Sequence, residues 1–505
     1  MRTFILHIDR NISTKVLFLF AVLISISGCG NGLKHPEVSL GPDSSFADTA
    51  ALEREHLDPD KVGYILYDSI SGTVIMSHNR KKAFIPASTT KVVTAVSALK
   101  TLGTDYRFKT ILARTGRIKS GTLYGDLYLK GTGDPHLKME DLAGFVEDLH
   151  RRGIRKIQGT FYYDESETPS VPVIDCQMDA DASYNPGISS LSCDYNRLFA
   201  QWKQNTENGD TSLYLIPSLP MNHVKMSGEN PERDIRFTYT KSRGKGTWIM
   251  SRPQRKQGRE SLPVKNPGLY TAQMFSRLCA IRGINTGRPA PGTIPDSCRI
   301  INVHQGEPLQ HLLDLMLTYS NNMMSELILC ETAQHLARRP QCISEAAVTV
   351  HEHICALIPG IDWKGFRMVN GSGLTSKNRI TPEQLCAVLV YADLMMPEDL
   401  SFMSFLPVSG WEWSLMTRLN SPETAFRVYA KTGTIFYAVS LAGYMFTHSG
   451  RRLIFAFFIT DPEKRASFEH DHRQGDRNTE KIAEKWVENA RDSMDRIISG
   501  WVSRL

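Results

Sequence analysis

Three short motifs stand far apart in this chain in a fixed order: Ser88-Thr-Thr-Lys91, Ser320-Asn-Asn322 and Lys431-Thr-Gly-Thr434. Together they supply what serine-based acyl transfer needs: a hydroxyl nucleophile, an amine base, a second hydroxyl, a carboxamide, and a cation flanked by hydroxyls. Each alone is a weak signal, because ordinary residue usage gives a chain this long roughly two S-x-x-K matches and about one S-x-N. The Lys-Thr-Gly-Thr run is scarcer, expected in about one such chain in ten, and the three together point to an enzyme that attacks an amide carbonyl.

Ser88 and Lys91 are three apart, which on a helix places both side chains on one face. A serine hydroxyl attacks poorly until a base takes its proton, and a lysine serves only when burial or a neighbouring cation lowers its pKa. Lys431 is the cation available for that, and a positioned base contributes roughly 10²- to 10⁴-fold in rate. A helix starting at Ser88 offers one oxyanion donor and the amide of Thr434 the other; losing such a donor costs about 2.7–4 kcal/mol of barrier. Ser320 would relay a proton to the leaving amine, and Asn322 would hold the substrate amide. The hydroxyls of Thr432 and Thr434, beside Lys431, form a carboxylate receptor, and Gly433 lets a substrate backbone lie along the strand. The same residues have plainer readings: Ser88 as a helix start, Lys91 as a surface charge, Asn322 as a helix cap, Lys-Thr-Gly as an edge-strand end. Those readings would have to hold jointly, in this order.

The elements that must carry these motifs are visible in the patterning. Gly63–Tyr67 and Thr73–Met76 form a hairpin, and Val92, Val93, Ala95, Val96 and Leu99 make a helix that stops at Gly103, so Ser88 stands at a helix N-terminus. Strands around Lys109, Asp126 and Gly159 with a helix near Met139–His150 suggest an α+β insertion, and residues 205–260 a second, smaller one. Helices resume at Leu269–Arg282 and Pro308–Ala337, with Ser320 and Asn322 near a break in the latter. Two strongly β runs, Val439–Phe446 and Arg452–Thr460, follow the strand carrying Lys431, and a last amphipathic helix, Asn478–Ile498, is placed over one sheet face.

Composition is that of an ordinary globular protein, with 41% hydrophobic and 22% charged residues. A formal charge of +6, with Lys and Arg scattered, gives no reason to expect a nucleic-acid partner. At the N-terminus, Arg2, Arg10 and Lys15 precede an apolar run, Val16–Ile26, too short for a comfortable membrane span, which reads as an export signal. An oxidising compartment would permit disulfides, and Cys176 with Cys193, and Cys279 with Cys298, are candidate local bridges, whereas Cys386 reads as a buried thiol. The pairs His351/His353 and His470/His472 read as solvated, and no metal or organic cofactor is required.

The three motifs are those of the penicillin-interactive serine transferases, the β-lactamases and penicillin-binding proteins. Within that group the chain resembles the class C low-molecular-weight penicillin-binding proteins, the D-alanyl-D-alanine carboxypeptidase/endopeptidases of the penicillin-binding protein 4 type. The long separation of the first two motifs, which in that family houses inserted domains, carries the resemblance. So do Gly131-Thr-Gly-Asp-Pro-His-Leu137, Ser320–Glu326, Asn370-Gly-Ser-Gly-Leu374 followed by Asn378-Arg379, and Leu406-Pro-Val-Ser-Gly410. Ile26-Ser-Gly-Cys29 in turn resembles a bacterial lipobox. Departures from the family are Asn321 within S-x-N, Asn370 before Gly-Ser-Gly, and Trp413 where glycine is common; the last helix and the lipid anchor are not general features of it.

The resemblance implies an α/β multidomain fold: a transpeptidase-like domain, with an antiparallel sheet flanked by helices, and one or two inserted α+β or β domains. The expected organisation is a lipoprotein signal at 1–29, a tether at 30–58, the catalytic domain at 59–108 and 262–505, and the insertion at 109–261. It implies a serine DD-peptidase acting on peptidoglycan stem peptides through an acyl-enzyme on Ser88, with β-lactams as covalent inhibitors. Cys29 would carry lipid, anchoring the protein on the periplasmic side of the envelope, at the outer membrane because Gly30 and not Asp follows. A serine β-lactamase is disfavoured by the insertion; a non-catalytic peptidoglycan-binding lipoprotein is the alternative of another kind.

Overall fold

Two apolar runs near the C-terminal end, Ala438–Phe446 and Arg452–Thr460, pair antiparallel and are buried along almost their whole length. Such runs need cover on both faces, and the fold provides it. The computed structural model describes residues 38, 40, 43–46, 48–205, 210–227, 237–242, 245–251, 253, 255–473 and 478–505. The expected signal segment 1–29, with Cys29, lies outside the described residues. Among those described, no helix is long and apolar enough to cross a membrane.

The central sheet has six strands in the order Asp43–Phe46, Thr73–His78, Val62–Asp68, Arg452–Thr460, Ala438–Phe446, Val428–Ile435. All neighbours are antiparallel except the first pair. The Lys-Thr-Gly-Thr segment therefore lies on an edge strand, where one row of backbone groups is left for another chain. One face packs against a helical layer that includes Thr90–Leu102, Leu309–Thr318, Asn322–Leu336, Ile343–Leu357 and Pro382–Met395. The other is covered by the last helix, Asn478–Arg504, which runs beyond the expected end at 498; Trp501 sits against Tyr64 and Phe457 with ring centroids 5.1 and 5.3 Å apart.

The tether expected at 30–58 ends earlier than 58. Residues 43–46 pair with Thr73–His78, and Thr49–Arg54 is a helix capped by Asp48, whose carboxylate accepts from the Ala51 amide at 3.1 Å. Ala51 and Leu52 are buried against the sheet, and that burial draws this polar stretch into the fold.

The insertion, too, has a different end from the one expected at 261. Arg107–Arg114 pairs antiparallel with Arg299–Pro308 in a five-stranded sheet with Leu127–Gly131, Phe161–Asp164 and Ala290–Pro291. The chain returns where it left: the Leu309 amide donates to the Tyr106 carbonyl at 2.8 Å. Residues 262–308, assigned above to the catalytic domain, thus belong to the insertion, and helix Pro267–Ile281 shares a second apolar core with helix Met139–Arg151. Two three-stranded sheets, one containing Arg197–Gln204 and one containing Lys245–Met250, make up the smaller β part and bury Leu198, Leu215, Trp248 and Leu262 in that same core. A break at 261 would cut through it.

The eight cysteines from Cys176 to Cys386 are free. Cys193 and Cys279 are buried in the insertion's core while Cys176 is exposed, so the local bridges suggested by spacing do not form. Cys386 is buried, as its surroundings required. The pair His351/His353 is not solvated: His353 Nδ1 is 2.8 Å from Ser97 Oγ, and His351 stacks on Phe366 at 4.7 Å.

Truncating a fully buried tryptophan removes transfer energy and leaves a cavity. Trp501→Ala is expected to lower stability by about 3–5 kcal/mol, read from the urea midpoint of the sheet's hydrogen-exchange protection; a loss below about 1 kcal/mol would mean that the helix end does not hold the sheet.

Candidate active site

The segment Phe84-Ile-Pro-Ala enters the site through paired backbone bonds between Phe84 and Ile380, 2.9 and 3.1 Å long. Ala87 then takes a left-handed φ of 47°, and a short 3-10 helix, Ala87–Thr89, runs into the helix Thr90–Leu102. Ser88 is held on that turn and Lys91 one turn further in. The Lys91 amine is completely buried and lies 3.1 Å from Ser88 Oγ, 2.7 Å from Asn322 Oδ1 and 2.7 Å from the Ser372 carbonyl.

Those three oxygens decide how the amine behaves. The Ser372 carbonyl and the Asn322 amide oxygen can only accept hydrogen bonds, whereas the Ser88 hydroxyl can accept or donate. An uncharged Lys91 has two N–H donors and one lone pair. With its two donors on the two obligate acceptors, the lone pair faces Ser88, whose O–H can then donate to it. Burial first, and the nearby charge of Lys431 second, hold the Lys91 amine well below its ordinary pKa, against the opposing charge of Glu326. Glu326 is itself buried and accepts the amides of Gly371 and Ser372 at 3.0 and 2.8 Å, fixing the carbonyl that Lys91 uses.

Lys431 is also fully buried; among the described residues its Nζ meets no hydrogen-bond partner, and burial pushes its pKa down to about 7. Ser320 occupies the break between helices Leu309–Thr318 and Asn322–Leu336 with a left-handed φ of 54°. The cap considered for Asn322 falls to Asn321, which accepts the Met324 amide at 3.1 Å. Asn322 is thereby free of capping, and its carboxamide is divided between two partners: Oδ1 accepts from Lys91, and Nδ2 donates to the Tyr184 carbonyl of the insertion at 2.9 Å. The group expected to hold a substrate amide therefore holds a backbone carbonyl here.

On the edge strand, Thr432 Oγ1 donates to Ser414 Oγ at 3.0 Å, and Thr434 Oγ1 accepts from the Arg491 guanidinium at 3.0 Å. Gly433 is required by the protein's own packing. A Cβ there would lie 2.2 Å from Ser440 Oγ, 2.5 Å from the Pro86 carbonyl and 3.0 Å from the Ser88 amide nitrogen. The absent side chain lets the strand close on the turn that carries Ser88, which sets the Ser88 and Thr434 amides on neighbouring segments. Trp413, 58% exposed, stands next to Ser414 with its ring 5.2 Å from Tyr319, so the departure from glycine adds an aromatic pair beside the site.

Ser88, Ser320, Asn322 and Thr434 line one cavity of about 630 Å³, to which Tyr184 and Arg491 also contribute; Lys91 and Lys431 are buried in its wall. Residues distant in sequence thus meet around one hydroxyl. Glu326 and Ser372 fall within segments quoted above for their family likeness, though with no role attached. Tyr184, Ser414 and Arg491 carried no sequence signal, being isolated residues on separate elements.

The chain matches the model of the D-Ala-D-Ala carboxypeptidase 3 (S13) family over residues 47–481. It belongs to that family. Among its relatives, the D-alanyl-D-alanine carboxypeptidase DacB of Haemophilus influenzae is 27% identical over 432 residues, covering 83% of this chain and 89% of DacB. A D-alanyl-D-alanine carboxypeptidase of an Actinomadura species is 26% identical over 426 residues, covering 78% and 77%. In structure, the chain is similar to penicillin binding protein 4 of Haemophilus influenzae, with a TM-score of 0.71, 24% identity, and coverage of 85% of this chain and 99% of that one. The same protein complexed with a β-lactam matches with a TM-score of 0.67 and 26% identity over 79% and 89%. An S13 peptidase is a serine carboxypeptidase, and the fold is the penicillin-binding, multidomain one.

With Lys91 as base, the acid limb of acylation belongs to its amine: protonated at low pH, it has no lone pair for Ser88. Removing the Lys431 charge takes away a cause that lowers the Lys91 pKa, so in Lys431→Gln the acid limb should move to higher pH. Glu326→Gln takes away a cause that raises it, so the limb should move to lower pH. Labelling rates with a fluorescent penicillin between pH 5 and 9 measure both; limbs that move together, or not at all, would remove Lys91 from the role of base.

Proposed function

We propose that this S13 peptidase cleaves the D-alanyl bond of peptidoglycan stem peptides, both at the terminal D-Ala and at the D-Ala to diaminopimelate cross-link. The observation that carries the reading is the buried Lys91 amine, shared by Ser88, Asn322 and Ser372 at the wall of one cavity. In the first step Lys91 takes the Ser88 proton and Oγ bonds to the carbonyl carbon, leaving an oxyanion that the Ser88 and Thr434 amides face. The C–N bond then breaks as the amine leaves with a proton relayed through Ser320. Water attacks the resulting ester, the C–O bond to Ser88 breaks, and the hydroxyl regains its proton.

A β-lactam enters the same first step. Its broken C–N bond belongs to a ring, so the leaving amine stays tethered and hydrolysis of the ester is slow. Asn322 can serve the substrate amide only if its Nδ2 exchanges the Tyr184 carbonyl for the substrate's, an exchange of like for like in hydrogen-bonding terms. The cavity of about 630 Å³ extends well beyond one alanine, which supports a cross-linked peptide as a second substrate.

The proposed location is the periplasmic face of the outer membrane, with the lipid on Cys29. Each buried methylene of the acyl chains contributes about 0.8 kcal/mol to anchoring. Cys29→Ala is expected to abolish labelled-palmitate incorporation and to release the protein into the soluble periplasmic fraction; a variant that stays membrane-bound would exclude Cys29 as the anchor.

Wild-type protein incubated with purified cross-linked muropeptides should release D-Ala and convert dimers to monomers by mass, and Ser88→Ala should do neither while also losing fluorescent-penicillin labelling. Monomer loss of D-Ala with intact dimers would restrict the activity to the carboxypeptidase. Intact substrates and no label with the wild type would favour a non-catalytic envelope protein.

A further inference from the structure

The carboxylate receptor on the edge strand lacks the charge that the motif alone assigned to it. Lys431 is wholly buried, absent from the cavity's lining and, among the described residues, without a hydrogen-bond partner. Two other cations do line the cavity, Arg465 and Arg491. Arg465 is neutralised by Glu469 at 2.7 Å. Arg491 donates to Thr434 Oγ1 at 3.0 Å and, among the described residues, has no carboxylate within 4.0 Å, its neighbour Asp495 being paired with Arg418 at 2.6 Å.

Arg491 is also held in place. It projects from the last helix, whose Val487, Ala490 and Met494 are buried against the outer face of the sheet, so core packing fixes the backbone that carries the guanidinium. A planar guanidinium presents paired N–H donors that match a carboxylate, and half-buried Arg491 feels Glu488, Asp492 and Asp495 only at a distance, so among the described residues its donors meet no carboxylate in contact. The Thr434 hydroxyl, having accepted from Arg491, still has its own proton to donate. Both donors can therefore meet one anion at the point where the edge strand passes Ser88.

We propose that Arg491 is the specificity-determining cation of this site: it binds the free α-carboxylate of the residue that leaves, together with the Thr434 hydroxyl. The role rests on the DD-peptidase reading and deepens it. The preferred substrates are peptides whose leaving amine bears an ionised α-carboxylate, which both D-Ala and the D-centre of diaminopimelate supply. Peptides amidated at that carboxylate are rejected.

The test compares two acylated D-Ala-D-Ala peptides, one ending in a free acid and one in a carboxamide. In wild type the free acid should be cut far faster. In Arg491→Ala its kcat/KM should fall roughly 10- to 100-fold, as expected for a lost charge-assisted hydrogen bond, while the carboxamide loses less than about threefold, so that the preference collapses. Arg491→Lys should restore part of it. Equal losses for both peptides, or an unchanged preference, overturn the assignment.

A second measurement keeps the assignment separate from catalysis. Calorimetric binding of the same two peptides to Ser88→Ala and to the Ser88→Ala/Arg491→Ala double variant reports carboxylate recognition with no turnover. A wild type that cuts neither peptide counts against the DD-peptidase reading, whereas free-acid binding that survives in the double variant counts against Arg491 alone.

Discussion

A lysine amine taken out of water and given three oxygens is the constraint on which this molecule turns. Burying an ammonium is costly, and the protein meets that cost with acceptors rather than with a paired carboxylate at contact distance. The outcome is an amine held well below its ordinary pKa by burial and by the charge of Lys431, whose lone pair, once uncharged, is free only toward Ser88. A carboxylate in direct contact would have stabilised the cation and left no lone pair for Ser88. Glu326 is buried close by, but it is occupied with the amides of Gly371 and Ser372 and acts on Lys91 at one remove.

Much of the fold serves to bring those acceptors in. Ser88 and Lys91 come from one helix, Asn322 from the start of another, and Ser372 from a loop that packs so closely that a Cβ on Gly373 would lie 1.8 Å from the Ala87 carbonyl. The edge strand closes from the other side through Gly433. The insertion takes part as well, since the Tyr184 carbonyl holds the amide end of Asn322. Its docking is therefore part of the site and not merely an appendage beside it.

The last helix illustrates how a covering element acquires a second use. Its buried face, with Trp501 against Tyr64 and Phe457, closes the sheet. The same anchoring aims Arg491 at Thr434. Because, among the described residues, no further strand lies beside the Lys-Thr-Gly-Thr segment of the edge strand, its hydroxyls remain open to groups arriving from other elements, and Ser414 and Arg491 are ones that reach them.

The sequence by itself determined what depends on neighbours along the chain. The three-residue spacing of Ser88 and Lys91 on a helix, the break that exposes Ser320, the buried strand pair after Lys431, and the long gap between motifs that signals an insertion were all legible there. The limits of the insertion were not, because Arg299–Pro308 belongs to it only through pairing with Arg107–Arg114. Nor were the buried state of Lys431, the Tyr184 contact with Asn322, the unpaired cysteines or the place of Arg491. Tertiary structure alone decided these: burial, charge compensation and hydrogen-bond partnership between distant segments depend on which surfaces pack together, and no local pattern of residue types records that.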